Sequence, residues 1–388
     1  MRKTSTIALI GAIILALLLI VLTSLKVWNI SLISFLSQST NELISPWVEN
    51  PLERTHPLNK YSFTNLKNQQ YQTDKITLTR LVEDNDDYSS FLFSYKTMNK
   101  TMTGLANVPK ICQSISCPVI LLVRGYADKE QYSPGFGTKN AAKVFADNQY
   151  ITLAPDFFGF AGADPEPEDT WEARFIKPIN IIELIKTIQT NPTIYSEVIE
   201  NTESEAAENH HETQVTNKYA QIDPNKIGIW AHSNGGQITL SVLQILSEPI
   251  PATLWAPVTA PFPYSLLFFT RTNEDEGKEA RAWIAIFEKD YDVFEFSITK
   301  HIDSLTGPLQ IHHGSRDKDA LQEWSDSFIQ IIEVENNKRA ETDNNHQPIE
   351  YQYYIYPDAD HNLLPSHNWQ QAIQRDLLFF KEKGISHE

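Results

Sequence analysis

Cysteine is nearly absent from this chain: 388 residues hold two, Cys112 and Cys117, within ICQSISC. Two thiols without clustered histidines do not build a zinc site. The adjacent pairs His210-His211 and His312-His313 are no substitute, because neighbours in a strand point to opposite faces. No metal and no cofactor is expected. In an oxidising compartment the two cysteines could close one small loop; the alternative is a pair of free, half-buried thiols. A basic excess is also missing. Thirty-two Lys and Arg stand against 49 Asp and Glu, a formal net charge of −17. A surface of that sign repels phosphate backbones, so nucleic acid is excluded as a partner. It also argues against docking of the globular part on anionic lipid.

Long hydrophobic runs are missing too, with one exception. From Ile7 to Leu22 every residue is apolar, and the run reaches Leu25 through Thr23 and Ser24. That approaches the ~20 residues needed to cross a bilayer. Arg2 and Lys3 precede it, and Lys26 and Trp28 follow. This order keeps residues 1–6 in the cytoplasm and places the rest outside, with 7–25 as a transmembrane signal anchor. A cleaved signal peptide, and hence a secreted protein, is the alternative. Against it, the run exceeds the usual ~7–15 apolar residues and no A-x-A site follows closely.

Residues 26–75 are polar, carry Pro46, Pro51 and Pro57, and repeat nothing strongly; they are expected to be a stalk or approach segment. The pattern changes at Lys75. KITLTRLVE and SSFLFSYKT alternate like antiparallel strands around the turn-forming DNDDY. Short apolar strands then alternate with helical segments: CPVILLV, TKNAAKVFADN, YITLAPD, INIIELIKTIQ, KIGIWA, GGQITLSVLQIL, ATLWAPV, PLQIHHG, ALQEWSDSFIQIIEVE, EYQYYIYPD and NWQQAIQRDLLFFKEKG. Strands buried on both faces and separated by helices imply an α/β fold with a mostly parallel central sheet covered on both sides. Ligands then sit at the carboxyl ends of the strands. Two segments interrupt the alternation. Residues 196–222 are acidic and polar and read as a mobile insertion. Residues 258–306 are rich in aromatics and read either as a lid or substrate wall, or as simple packing on the sheet edge.

KIGIWAHSNGGQITL, residues 226–240, carries the chemistry. A strand that reverses at once into a helix lifts the residue at the turn above the sheet, provided that its neighbours two positions away are small. That is the nucleophile elbow, G-x-S-x-G. Here it reads Ala231-His232-Ser233-Asn234-Gly235; Ala231 replaces the first glycine, and a methyl group is the smallest possible addition. A serine hydroxyl needs a base, and the base needs a carboxylate. The strand ends LQIHHGSRDKD and YYIYPDADHNL offer Asp317 and His361, in the order Ser, Asp, His. Asp319 is a rival for Asp317. The oxyanion of a tetrahedral intermediate needs N–H donors. The Asn234 amide is one; the Tyr126 amide, after VILLVRGYAD, is the other, with the Tyr126 hydroxyl as an alternative.

The chain from about 76 to 384 resembles the catalytic domain of the prolyl oligopeptidase (S9) branch of the α/β-hydrolases, and is similar to dienelactone-hydrolase-like esterases. The likeness is carried by VILLVRGYADKEQY, YITLAPDFFGFAGAD, IDPNKIGIWAHSNGGQITL, PLQIHHGSRDKD and YPDADHNLL. It implies an α/β-hydrolase fold with Ser233, Asp317 and His361 as its triad. The family often shows His-Gly where Arg124-Gly125 stand, and Asp-Tyr-Arg-Gly where Asp156-Phe157-Phe158-Gly159 stand. Arg124 could meet a substrate carboxylate or close a surface salt bridge. The residues before the domain are too few for the β-propeller that gates many such peptidases.

These readings point to a membrane-anchored serine hydrolase with its catalytic domain extracytoplasmic, acting on a small ester or a short peptide. A catalytically silent hydrolase-fold binding protein, or an acyltransferase using the same triad, remains open. The oligomeric state is not read from the sequence.

Overall fold

Among the described residues, ten strands, numbered β1 to β10 along the chain, share one sheet in the order β10-β9-β8-β7-β4-β5-β3-β2-β1-β6. The computed structural model describes residues 55–197, 217–341 and 347–387. The expected anchor at 7–25, the acidic tract 198–216 and the pair His210-His211 lie outside the described residues. Among the described residues no helix is long and apolar enough to cross a membrane. Pro57–Glu388 forms one compact unit.

The antiparallel entry consists of β1 (Ile76–Asp84), β2 (Tyr88–Thr97) and β3 (Lys100–Pro109). β3 carries Gly104 and was not expected from periodicity. The parallel part follows: β4 (Ser116–Val123), β5 (Ile151–Pro155), β7 (Asn217–His232), β8 (Ala252–Trp255), β9 (Leu309–Gly314) and β10 (Tyr351–Tyr356). β4 is buried from Cys117 to Val123 and β8 throughout, which explains their unbroken apolar runs. The short β6 (Thr193–Ser196) joins β1 in parallel and the leading half of β7 antiparallel.

The helices are α1 (Phe63–Lys67), α2 (Lys139–Asp147), α3 (Thr170–Thr190), α4 (Asn234–Leu246), α5 (Ser265–Thr270), α6 (Lys278–Asp290), α7 (Gln322–Glu341) and α8 (Ser366–Glu382). Twelve residues of α3 are buried, Pro178, Asn180 and Glu183 included. A helix so enclosed is apolar nearly all round rather than on one stripe.

Three expected boundaries need correction. The stalk does not reach residue 75: a 3₁₀ turn at Pro57–Tyr61 and α1 bury Leu58, Tyr61, Phe63 and Leu66 in the main core. The segment is then tied down through the buried Glu183 carboxylate, which accepts from the Gln72 N–H at 2.9 Å and from the Thr97 hydroxyl at 2.6 Å. The insertion at 196–222 does not extend through 222, because residues 217–222 are already the start of β7. Finally, 258–306 is a packed wall. Phe262, Phe287 and Phe296 from this stretch interlock with Trp171 and Phe175 of α3, with ring centroids 4.7–5.9 Å apart. Aromatic pairs in edge-to-face and stacked arrangements add to the stabilisation that burial itself gives.

Cys112 and Cys117 are joined by a disulfide, with Cα atoms 5.6 Å apart. It closes the turn between β3 and β4, and both sulfurs lie in the core. A loop this short has limited entropy to lose in the unfolded chain. Replacing both cysteines by serine should therefore lower stability by about 2 kcal/mol, measured by urea unfolding; an unchanged midpoint refutes that role.

Candidate active site

Ser233 follows the last residue of β7 and precedes the first of α4, with φ 57° and ψ −124°. This left-sided backbone is strained for a residue with a side chain. It persists because its surroundings hold it. The Ser233 N–H donates to the Trp255 carbonyl at 2.9 Å, and its own carbonyl accepts from Gly236 at 2.9 Å and Val258 at 3.0 Å. The flanking small residues prove necessary. A Cβ on Gly235 would stand 2.0 Å from the Val123 carbonyl oxygen, and one on Gly236 would stand 2.5 Å from the Pro257 side chain. Ala231 is fully buried in β7 without strain at its own position, so its methyl group is accommodated where glycine is usual.

Gly125 closes the other side of the nucleophile. A Cβ there would come within 2.8 Å of the Ser233 Cβ, so only glycine lets the loop after β4 approach. That brings the Tyr126 amide, which makes no backbone hydrogen bond among the described residues, beside the serine. Asn234 is the first helical residue of α4, whose N–H has no acceptor within its own helix. The two expected oxyanion donors thus share one corner of the same cavity, which is lined by Gly125, Tyr126 and Asn234. Tyr126 itself is 85% exposed.

Asp317 and His361 meet directly. The His361 Nδ1–H donates to Asp317 Oδ2 at 2.8 Å. The other carboxylate oxygen accepts from the amides of Asp319 and Ala320, each at 2.9 Å. The rival is thereby separated: Asp319 is exposed and contributes its backbone N–H, while Asp317 is buried and takes the imidazole. A second histidine supports the same carboxylate. His313 Nε2 lies 3.3 Å from Asp317 Oδ2 and donates to the Ala320 carbonyl at 2.8 Å, while its Nδ1 receives the Ser325 hydroxyl at 2.9 Å. Burial pushes the Asp317 carboxyl up, but hydrogen bonds from His313 and His361 outweigh it, and the group is held below the usual carboxylate range. His312 points the other way, to Tyr356 and Asp376, as strand alternation requires.

His232, the residue before the nucleophile, was not singled out by its sequence position. Its Nε2–H donates to the backbone carbonyl of His361 at 2.9 Å, and the two imidazoles lie 4.7 Å apart. It therefore ties the loop carrying His361 to the elbow. Burial, aided by the neighbouring His361, depresses its pKa to about 4, so it is neutral in this role at ordinary pH. The Ser233 hydroxyl and the His361 ring are not hydrogen-bonded to each other in this structure. His361 Nε2 makes no hydrogen bond among the described residues, so it is free to face a reacting group. Such contacts commonly tighten only when substrate is bound.

Arg124 departs from both expectations. It is 5% exposed, donates to the carbonyls of Gly125 at 2.9 Å and Asp156 at 2.6 Å, and lies against Tyr132, Phe157 and Phe160. It forms no ion pair among the described residues and is no surface salt bridge. Two of its donors brace the loop after β4 while its Nε is buried without a partner among the described residues, and the residue forms part of the cavity wall. The segment after β5 holds its partner in place: Asp156 accepts from the hydroxyls of Thr103 and Tyr132, each at 2.6 Å.

A serine in an elbow turn, an imidazole on a buried carboxylate and a mostly parallel sheet are the features of an α/β-hydrolase-like fold. Comparison with known proteins agrees. Residues 211–385 match the prolyl oligopeptidase family. No curated protein matches in sequence. Among solved structures, the chain is similar to a puromycin-hydrolysing peptidase of Mycobacterium tuberculosis, with a TM-score of 0.52, 11% identity, and coverage of 77% of this chain and 40% of that one. An acetyl xylan esterase from Paenibacillus superposes with a TM-score of 0.53 at 16% identity, covering 82% of this chain and 92% of the esterase. Dipeptidyl peptidase 4 of Porphyromonas gingivalis gives 0.51 at 16% identity, over 76% and 36% of the two chains. This chain thus spans well under half the length of the two peptidases and nearly all of the esterase. At these identities the likeness speaks for the fold.

Two variants check the geometry. Gly235→Ala drives a methyl group into the Val123 carbonyl and should cost about 1–3 kcal/mol with loss of active-site labelling; a fully stable, reactive protein contradicts the elbow packing. His232→Ala removes the donor to the His361 carbonyl and should lower kcat about tenfold, roughly 1.4 kcal/mol of transition-state stabilisation, with little change in KM. His232→Gln keeps an N–H donor and should recover most of that loss. Because the folded-state pKa lies below the unfolded value, the His232 contribution is present above about pH 6.5 and is lost as the pH falls toward 4. The acid limb of a stability–pH curve should flatten in His232→Ala.

Proposed function

We propose that this hydrolase cleaves an ester or short-peptide bond through an acyl-enzyme on Ser233. The observation that carries this reading is the His361–Asp317 hydrogen bond at 2.8 Å, on the same strand-end rim as a serine in elbow geometry. In the proposed course, Ser233 Oγ attacks the carbonyl carbon and its proton passes to His361 Nε2. Asp317 keeps the proton on Nδ1 and offsets the imidazolium charge. The oxyanion takes the amides of Asn234 and Tyr126. Collapse breaks the bond to the leaving group, which departs with the proton from His361. Water then repeats the sequence at the acyl carbon and releases the acid. Similarity to both peptidases and esterases supports either bond type.

The reading extends to location. The apolar stretch 7–25, with cations before it, supports a membrane anchor that leaves the catalytic domain extracytoplasmic. The disulfide between Cys112 and Cys117 supports an oxidising compartment. Recovery of the full chain with membranes, released by detergent and not by salt, is the expected outcome; release by salt alone contradicts it.

A fluorophosphonate probe should label the protein and leave Ser233→Ala unlabelled, while Asp317→Asn loses on the order of 10³–10⁴ in kcat. Equal labelling of the wild type and Ser233→Ala removes the assignment. A folded protein that binds acyl compounds but shows neither labelling nor turnover favours the silent binding protein instead.

A further inference from the structure

Two cations near the nucleophile form no ion pair among the described residues. Arg174 and Lys177 lie one helical turn apart on α3, and both line a narrow cleft of about 40 Å³ with Asn234 and Gln237 from the first turn of α4. No Asp or Glu among the described residues lines that cleft; its other walls are mainly the aromatic and aliphatic side chains of α1, α3 and the 258–306 segment. Arg174 donates to the Gln237 side-chain oxygen at 2.6 Å and lies over the Phe262 ring, 5.4 Å from its centroid. It forms no ion pair among the described residues, and Lys177 forms neither ion pair nor hydrogen bond there. Both side chains are half-buried; withdrawing a cation from water without an anion is costly, and desolvation depresses the Lys177 pKa to about 8 and that of Arg174 to about 10. A fold that keeps two such groups beside its reactive centre has an unmet demand for negative charge.

The cleft opens next to the chemistry. Lys177, Asn234 and Ile238 also line the adjoining cavity of about 440 Å³ that contains Gly125 and Tyr126. The positive end of the α4 dipole adds to the same corner. Neither cavity is lined by the loop that carries His361, whereas the cavity containing His232, Asn362 and Leu364 is. The leaving group must depart toward the imidazole that protonates it, so the cleft at Asn234 belongs to the acyl side.

We propose that this cleft is an acyl subsite for an anionic group, in which Arg174 and Lys177 select esters or amides whose acyl part carries a carboxylate. The inference rests on the acyl-enzyme reading and names its substrate class: monoesters of short dicarboxylic acids, or acidic aminoacyl groups. Arg174 supplies a planar donor pair backed by Gln237, and Lys177 supplies a point charge at the junction of the two cavities. The apolar walls dry the site and strengthen both contacts. The charged groups around Lys177 are Arg174 on its own helix, Arg124, Asp128, Lys129 and Glu130 from the segment after β4, and Glu166 from the segment after β5; Glu166 is itself engaged by Lys129, and Asp128 and Glu130 are exposed.

The test compares mono-4-nitrophenyl succinate with 4-nitrophenyl butyrate, which differ by a terminal carboxylate in place of a methyl group. The ratio of their kcat/KM values should favour the succinate at least tenfold in the wild type. Lys177→Met and Arg174→Met should each reduce that ratio about tenfold, and Lys177→Arg should retain it. In the wild type the ratio should fall as the pH rises through about 8, where Lys177 loses its proton, and Lys177→Arg should remove the fall. The wild-type ratio and its pH dependence need no destabilised variant. A wild-type ratio near one, in protein that is labelled at Ser233 and hydrolyses the butyrate, overturns the anionic subsite and leaves the serine hydrolase standing. Absence of labelling and of turnover on both esters overturns the two together.

Discussion

Close approach of backbone at one turn governs this molecule. Ser233 is held at positive φ only because β7 runs into α4 without a spacer, and that junction admits no side chain at Gly235 or Gly236. The Val123 and Arg124 carbonyls at the end of β4, the Pro257 ring after β8 and Gly125 all press on the same few atoms. Strain stored in one residue is thereby distributed over three strand ends. The consequence is a serine held at the strand–helix turn, next to a cavity lined by Gly125, Tyr126 and Asn234.

The imidazole and its carboxylate depend on a second, electrostatic constraint. Asp317 is buried, and a buried carboxylate is tolerated only when its oxygens are filled. Two amides fill Oδ1, while His361 and His313 share Oδ2. His313 is in turn fixed by Ser325 and Ala320. The order of support therefore runs outward from the carboxylate to β9 and α7. His232 completes the arrangement from the other direction by donating to the His361 carbonyl, which ties the histidine loop to the elbow.

The aromatic stretch after β8 and the segment before β1 join the site to the rest of the fold. Their rings pack on α3 and, by doing so, press Arg174 and Lys177 toward the first turn of α4. A wall built for hydrophobic burial thus also sets the charge of the space beside the serine. Arg124 shows the opposite arrangement: its guanidinium is consumed by two carbonyls and three rings, and its charge serves the loop instead of a ligand.

The residues alone determined the alternation of apolar strands and helices, because strands buried on both faces leave unbroken hydrophobic runs in any context. They also determined the elbow, since the small residues around Ser233 answer a local steric demand, and the order Ser233, Asp317, His361 along successive strand ends. Tertiary structure decided the rest. Whether Asp317 or Asp319 meets the imidazole depends on which side chain turns inward after β9. The roles of His232 and His313 depend on contacts with residues 129 and 4 positions away, and no periodicity encodes the first of these. The 57–67 segment looked like a stalk because four buried apolar residues among polar ones make no local pattern. Arg124 looked free for the same reason that Arg174 and Lys177 passed unnoticed: a cation's partner, or its lack of one, is a property of what the fold packs around it.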